Sequence, residues 1–257
     1  MEIIKKYKLK MTAILIVIFI LLSWKTTYFL GCFSLLIPLI YCFVIASSFI
    51  EIRMKEKECY KNCYFKDKTL LASMITSPYF TSLIYIILSI FYTFSFMYNT
   101  LNYGIIFYGI IIFFIVFTNY LYKSLLHFFS KIINEKHTDI FTREISIKIT
   151  AILLFILYSA YFMYGYEPNY LRETIEATIL EATKSIGSSC ILIDYIIRVY
   201  VEIDATVLFV TKVASINTDN SNINNLIWVA FIVMNTLSIL GLNRFIMQII
   251  YFLNKYE

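Results

Sequence analysis

Four charged residues lie close together near the end of an otherwise apolar sequence: Asp194, Arg198, Glu202 and Asp204. Acidic side chains at the mouth of a membrane pore raise the local concentration of cations, so this cluster is a candidate external vestibule. The competing interpretation is an ion ladder, in which the charges satisfy one another and only keep an external segment soluble. The sequence leaves both interpretations open.

The segment that carries these charges has a strict alternation, because every odd position from Ile191 to Phe209 is apolar. This period and the many β-branched residues favour a β-strand with one dry and one wet face. A helix competes, since it would align Asp194, Arg198 and Glu202, and since an open strand edge in lipid leaves backbone groups unpaired. A seventh span is disfavoured, because four charges cost roughly 10–14 kcal/mol at the bilayer centre. We predict a strand or hairpin outside the hydrocarbon.

Signatures of catalysis are missing from the sequence. It contains no G-x-S-x-G, Walker A or G-x-G-x-x-G motif, so we expect neither an enzyme nor a bound cofactor. His127 and His137 are the only histidines, and their surroundings lack the spacing of a metal site. We expect the five cysteines to be free thiols: Cys32, Cys42, Cys59, Cys63 and Cys190.

The composition indicates that lipid is the solvent of most of the chain. Of the 257 residues, 60% are hydrophobic and only 15% are charged, and the mean hydropathy is +0.75. A soluble domain is nearer half apolar and a quarter charged. The net charge of +5 is spread between apolar stretches rather than along one stripe, which argues against a nucleic-acid partner.

Six stretches are apolar enough to be predicted as transmembrane helices. They are residues 9–27, 29–50, 78–98, 104–122, 149–166 and 226–242. The fold class is therefore an all-α polytopic membrane protein with one small extracytoplasmic subdomain, which holds an amphipathic helix and the predicted strand. Its parts are a five-span region at 1–166, the subdomain at 167–225, and a final helix with a cytoplasmic tail at 226–257.

Lysine and arginine alternate between the two sides of these spans. Residues 1–10 hold four, the first return loop one, 51–69 six, 99–103 none and 123–148 five. The positive-inside rule then puts both termini and the two basic loops on the cytoplasmic side. We expect the membrane to be a cell inner membrane. Five lysines are expected to face lipid headgroups: Lys55, Lys57, Lys61, Lys131 and Lys136.

The predicted function is an oligomeric channel-like or membrane-permeabilising protein. None of the predicted spans has a charge at its centre, which argues against a proton-coupled pump and fits a passive path between subunits of a homo-oligomer. The alternative is a non-conducting accessory, anchor or immunity-type protein that binds a second membrane protein. A cytoplasmic regulator at the basic loops is a further expected partner.

Overall fold

In a computed structural model, the backbone is described for residues 2–64, 77–102, 104–165, 169–184, 186–211 and 221–255. Side chains are described for 11–58, 77–101, 104–157, 160, 169–184, 186–211 and 236–255. Every regular element in these ranges is helical. The elements are α1 (Glu2–Thr27), a 3₁₀ turn (Cys32–Leu35), α2 (Leu36–Tyr64), α3 (Pro78–Asn102), α4 (Ile105–Phe129), α5 (Glu135–Gly165), α6 (Ile175–Lys184), α7 (Ile191–Phe209) and α8 (Ser221–Lys255).

The long helices make the chain an α-helical membrane protein. Four helices in the described residues are long and apolar enough to cross a bilayer: Cys32–Glu58, Pro78–Leu101, Ile105–Phe129 and Thr236–Lys255. Met11–Thr27 is a shorter apolar helix. The predicted fifth span, 149–166, falls within α5 and partly outside the described side chains.

The backbones of α3 and α8 approach each other closely at Gly241. A Cβ atom built on Gly241 of α8 would lie 3.0 Å from the backbone oxygen of Tyr92 in α3. Glycine therefore lets the two helix backbones approach, as small residues do at helix crossings in membranes. α2 runs parallel to α8, since Gln248 reaches Ser47 and Tyr251 reaches Glu51.

A small cap, formed by residues 169–184 and 186–211, lies at the end of the bundle where α1 and α3 end and α2 begins. A disulfide joins Cys190, just before α7, to Cys32 of the 3₁₀ turn. The hydroxyls of Ser188 and Ser189 donate to the backbone oxygens of Tyr28 and Phe29. The cap is thus fixed to the bundle covalently and by hydrogen bonds.

Two expectations from the sequence are wrong. The segment 191–209 is the helix α7, not a strand, and its buried side chains fall three or four residues apart: Ile193, Ile197, Val201, Ala205 and Leu208. A helix satisfies its own backbone groups where a lone strand next to lipid would not. Cys32 and Cys190 are not free thiols but partners in the disulfide, because the fold brings the start of α7 to the start of α2.

Replacing Gly241 with Ala is expected to lower the thermal unfolding midpoint in detergent, measured by tryptophan fluorescence. The added methyl group must push α3 and α8 apart, and overpacking of this kind costs about 1–3 kcal/mol. Gly109→Ala is the matched control, because a Cβ atom there would meet nothing within 4 Å. Equal midpoints for the two variants would contradict the close helix crossing.

Candidate functional site

Three of the four charged residues predicted to form a vestibule lie along one line on the surface of α7. The Arg198 Nε donates to Asp194 Oδ2 at 2.7 Å, and Glu202 follows one turn later and is exposed. The hydrogen bonds from Arg198 and from the backbone N–H of Ser188 hold the pKa of Asp194 below its ordinary value. This line is an exposed ion ladder with one strong pair.

Asp204 lies apart from the ladder, on the side of α7 that faces the bundle. Its Oδ2 accepts hydrogen bonds from the phenols of Tyr98, at 3.1 Å, and Tyr170, at 3.2 Å. Burial outweighs these two bonds and raises the pKa of Asp204 to about 6. The structure therefore does not bring Asp204 together with Asp194, Arg198 and Glu202, and this carboxylate joins α7 to the end of α3 and to the start of the cap.

The basic residues predicted to face lipid headgroups lie away from the cap. Lys131 and Lys136 are exposed around the turn between α4 and α5, and Lys55 is half-exposed, 3.7 Å from Glu51. Lys57 donates to the hydroxyl of Thr81 at the start of α3. Lys61 belongs to α2, and its side chain lies outside the described residues.

The most unusual group of side chains lies in the half of the bundle far from the cap. We call it the ion-pair core; it consists of Glu51, Arg143, Glu144, Arg244 and Gln248. The Arg143 side chain is fully buried, donates from Nη1 to Glu51 at 2.9 Å and from Nη2 to Gln248, and stacks 3.8 Å over the Tyr251 ring. One guanidinium thus joins α5 to both α2 and α8.

The second pair of the core joins α5 to α8 directly. Arg244 Nη2 donates to Glu144 Oε1 at 3.1 Å, with only 8% and 10% of the two side chains exposed. The Arg244 guanidinium lies 3.8 Å over the ring of Phe49 in α2. Removing one partner of such a buried pair leaves an uncompensated charge, which costs about 3–5 kcal/mol.

Polar atoms without hydrogen-bond partners surround the ion-pair core. They include Arg143 Nε and Arg244 Nη1, both amide atoms of Asn119, and the hydroxyls of Ser48, Thr118 and Ser146. The hydrogen bond from Tyr122 to Asp139 sets the antiparallel register of α4 and α5, which brings Thr118 and Asn119 to the level of Arg143. Buried polar groups are nearly always paired, so this cluster of unpaired atoms is an unusual feature of the bundle interior.

Aromatic rings close the bundle on the cap side of this polar region. The ring of Tyr41 stacks on Phe96 with centroids 5.1 Å apart and on Phe245 with centroids 4.1 Å apart. We call these three residues the aromatic stack, and all three are fully buried. Tyr41 precedes Glu51 by ten residues, or about 15 Å of helix, whereas Phe245 directly follows Arg244, so the aromatic stack adjoins the ion-pair core and extends from it towards the cap.

The ion-pair core was not predicted, because the predicted fifth span begins too late, at residue 149, and the predicted last span ends too early, at residue 242. Arg143 and Glu144 were assigned to a cytoplasmic loop, and Arg244 to the residues after the last span. In the structure α5 begins at Glu135 and α8 continues to Lys255, so the charges enter the packed bundle. Adjacent opposite charges at 143–144, followed by buried Ser146 and Thr150, were the available signal for a polar helix face.

Asp204→Asn is expected to remove the part of the pH dependence of folding stability that Asp204 contributes. The pKa of Asp204 in the folded chain, about 6, exceeds the ordinary 3.8, so its stabilising contribution is complete below about pH 4 and is lost as the pH rises through about 6. The thermal midpoint of the wild type should therefore rise relative to that of the variant when the pH is lowered from about 7.5 to about 5. Glu202→Gln, which removes an exposed carboxylate, is the control; parallel curves for the wild type and Asp204→Asn would contradict the burial of this group.

The ion-pair core, its unpaired polar neighbours and the aromatic stack together form the candidate functional site. Comparisons of the chain with protein families, with curated proteins and with solved structures find no match.

Proposed function

We propose that this protein is a channel-like membrane protein whose path for small polar solutes or ions runs through the ion-pair core and is closed by the aromatic stack. The observation that carries the proposal is the burial of Arg143 and Arg244 among polar atoms without hydrogen-bond partners. Apolar side chains would fill a purely structural bundle at lower cost. Ionisable groups inside membrane helices typically line ion or solute pathways.

The aromatic stack is the natural gate of such a path. A hydrophobic constriction excludes water without blocking the pore mechanically, and it conducts when it widens enough to be wetted. Tyr41, Phe96 and Phe245 come from three helices, so a small separation of α2, α3 and α8 would widen the constriction. The proposed path thus lies inside the bundle and not at the external acidic residues, where the sequence suggested it.

The proposed topology has six spans, with the cap outside the cell and both termini in the cytoplasm. The disulfide between Cys32 and Cys190 supports this orientation independently of the lysine and arginine counts, because disulfides persist in oxidising compartments and are rare in the cytosol. Lys131 and Lys136, at the other end of the bundle, then face the cytoplasmic leaflet. The homo-oligomer and the cytoplasmic regulator stay predictions.

Phe96→Ala is expected to raise the flux of small ions across liposomes that contain the purified chain at least several-fold, because it removes one ring from the constriction. The flux is measured with an ion-sensitive dye, while an encapsulated large dye reports general leakage. Phe107→Ala is the matched control: Phe107 is 1% exposed but lies outside the aromatic stack, and both truncations cost about 3–5 kcal/mol. An unchanged ion flux in folded Phe96→Ala, or loss of the large dye from both variants, would contradict the gate.

A non-conducting interaction protein is the second candidate function. The observation in its favour is the cap, which the disulfide and the bonds from Ser188 and Ser189 hold rigidly against the bundle. A rigid external platform suits the recognition of a second membrane protein, because little ordering has to accompany binding. This function would be favoured over the channel if liposomes containing any of the variants showed no ion flux and if a stoichiometric complex with a second membrane protein were isolated from native membranes.

The orientation is tested by cysteine labelling of intact cells. In a chain with Ser at 42, 59 and 63, a cysteine replacing Glu173 in the cap should react with an impermeant maleimide, and one replacing Lys136 should react only after permeabilisation. Both native side chains are exposed, so accessibility to the reagent depends only on the side of the membrane. The reverse pattern would place the cap in the cytoplasm and contradict the topology.

A further inference from the structure

The side chains of α7 divide into three faces. One face is buried against the bundle, one carries the ion ladder of Asp194, Arg198 and Glu202, and the third is apolar and exposed. Exposed fractions on the apolar face are 87% for Ile191, 70% for Tyr195, 37% for Val199 and 40% for Ile203. Successive residues of a helix are 100° apart, so the apolar face points away from the bundle beside the charged face.

Both ends of α7 are fixed at the depth where membrane spans begin or end. The disulfide attaches Cys190 to Cys32, the first residue of the candidate span Cys32–Glu58. The hydrogen bond from Tyr98 attaches Asp204 near the end of the candidate span Pro78–Leu101. Asp204 follows Cys190 by fourteen positions, which corresponds to about 21 Å of helix. Because both anchors share one depth, the axis of α7 runs parallel to the membrane surface.

We propose that α7 lies in the lipid–water interface, with Tyr195, Val199 and Ile203 inserted among the acyl chains of the leaflet at the cap end and with its ion ladder in water. The exposed apolar surface continues from α7 onto the 3₁₀ turn and the start of α2, where Phe33 is 89% and Leu36 is 59% exposed. That neighbouring surface belongs to a helix apolar enough to span the bilayer, so the same lipids cover both. Tyrosine is a preferred residue at this depth.

The arrangement fits lipid better than it fits a second copy of the chain. An interfacial helix requires a polar face and an apolar face side by side, with the apolar one only shallowly buried. The charged face of α7 adjoins the apolar face from Asp194 to Glu202, which places water-facing and lipid-facing side chains side by side over these turns. This inference does not depend on conduction by the ion-pair core.

The test is a nitroxide scan of α7 by electron paramagnetic resonance, with the full chain in liposomes of phosphatidylcholine and phosphatidylglycerol. Single cysteines replace residues of the apolar face (195, 199, 203) or of the charged face (194, 198, 202), in a background of Cys42→Ser, Cys59→Ser and Cys63→Ser. The ratio of collision rates with oxygen and with a water-soluble nickel complex should be several-fold higher on the apolar face. The depths of 195, 199 and 203 should agree with one another.

Other outcomes overturn the proposal in distinguishable ways. Low accessibility to both reagents at 195, 199 and 203 would mean that protein, such as a second copy of the chain, covers the face. High accessibility to nickel on both faces would put α7 in water. A depth that increases by about 6 Å with every four residues would make α7 a spanning helix. Because the six positions to be labelled are all at least partly exposed, the folded state of each variant can be verified by its thermal midpoint before labelling.

Discussion

A guanidinium group keeps its charge at every physiological pH, so Arg143 requires a partner wherever the bundle encloses it. Glu51 of α2 and Gln248 of α8 are those partners. A shift of one helix along another by one turn would break the hydrogen bonds of Arg143 to Glu51 and Gln248 and leave it only the longer contact with Asp139 of its own helix, at 3.9 Å. The parallel register of α2 and α8, and with it the close crossing of α8 and α3 at Gly241, are consistent with this one requirement.

The bundle is therefore chemically different at its two ends. At the end far from the cap, two ion pairs and several unpaired polar atoms occupy the interior; towards the cap, the stacked rings of Tyr41, Phe96 and Phe245 fill it. Electrostatic interactions strengthen in such dry surroundings, so the pairs that hold the helices together are also the groups that any polar solute would have to displace. Stability and the proposed conduction thus depend on the same contacts.

The sequence predicted the membrane class and most of the helix positions, because long apolar runs have few alternatives in lipid. It did not predict α7 correctly, since every odd residue from Ile191 to Phe209 is apolar and every second member of that set, such as Ile193, Ile197 and Val201, also forms a helical stripe. The spacing of the apolar residues alone could not distinguish a strand from a helix. The ion-pair core was missed because partners 92 and 100 residues apart, Glu51 with Arg143 and Glu144 with Arg244, leave no local pattern.

The disulfide joins residues separated by 158 positions, and the helices α2 to α6 all lie between them. Those helices therefore belong to a covalently closed ring, from which α1 emerges as one tail and α7 with α8 as the other. A protease that cuts any one loop inside the ring produces a nicked polypeptide whose two fragments stay linked and migrate together on a denaturing gel until a reductant separates them. Cleavage of one surface loop would thus leave all helices of the ring covalently connected, with one copy of each in every molecule.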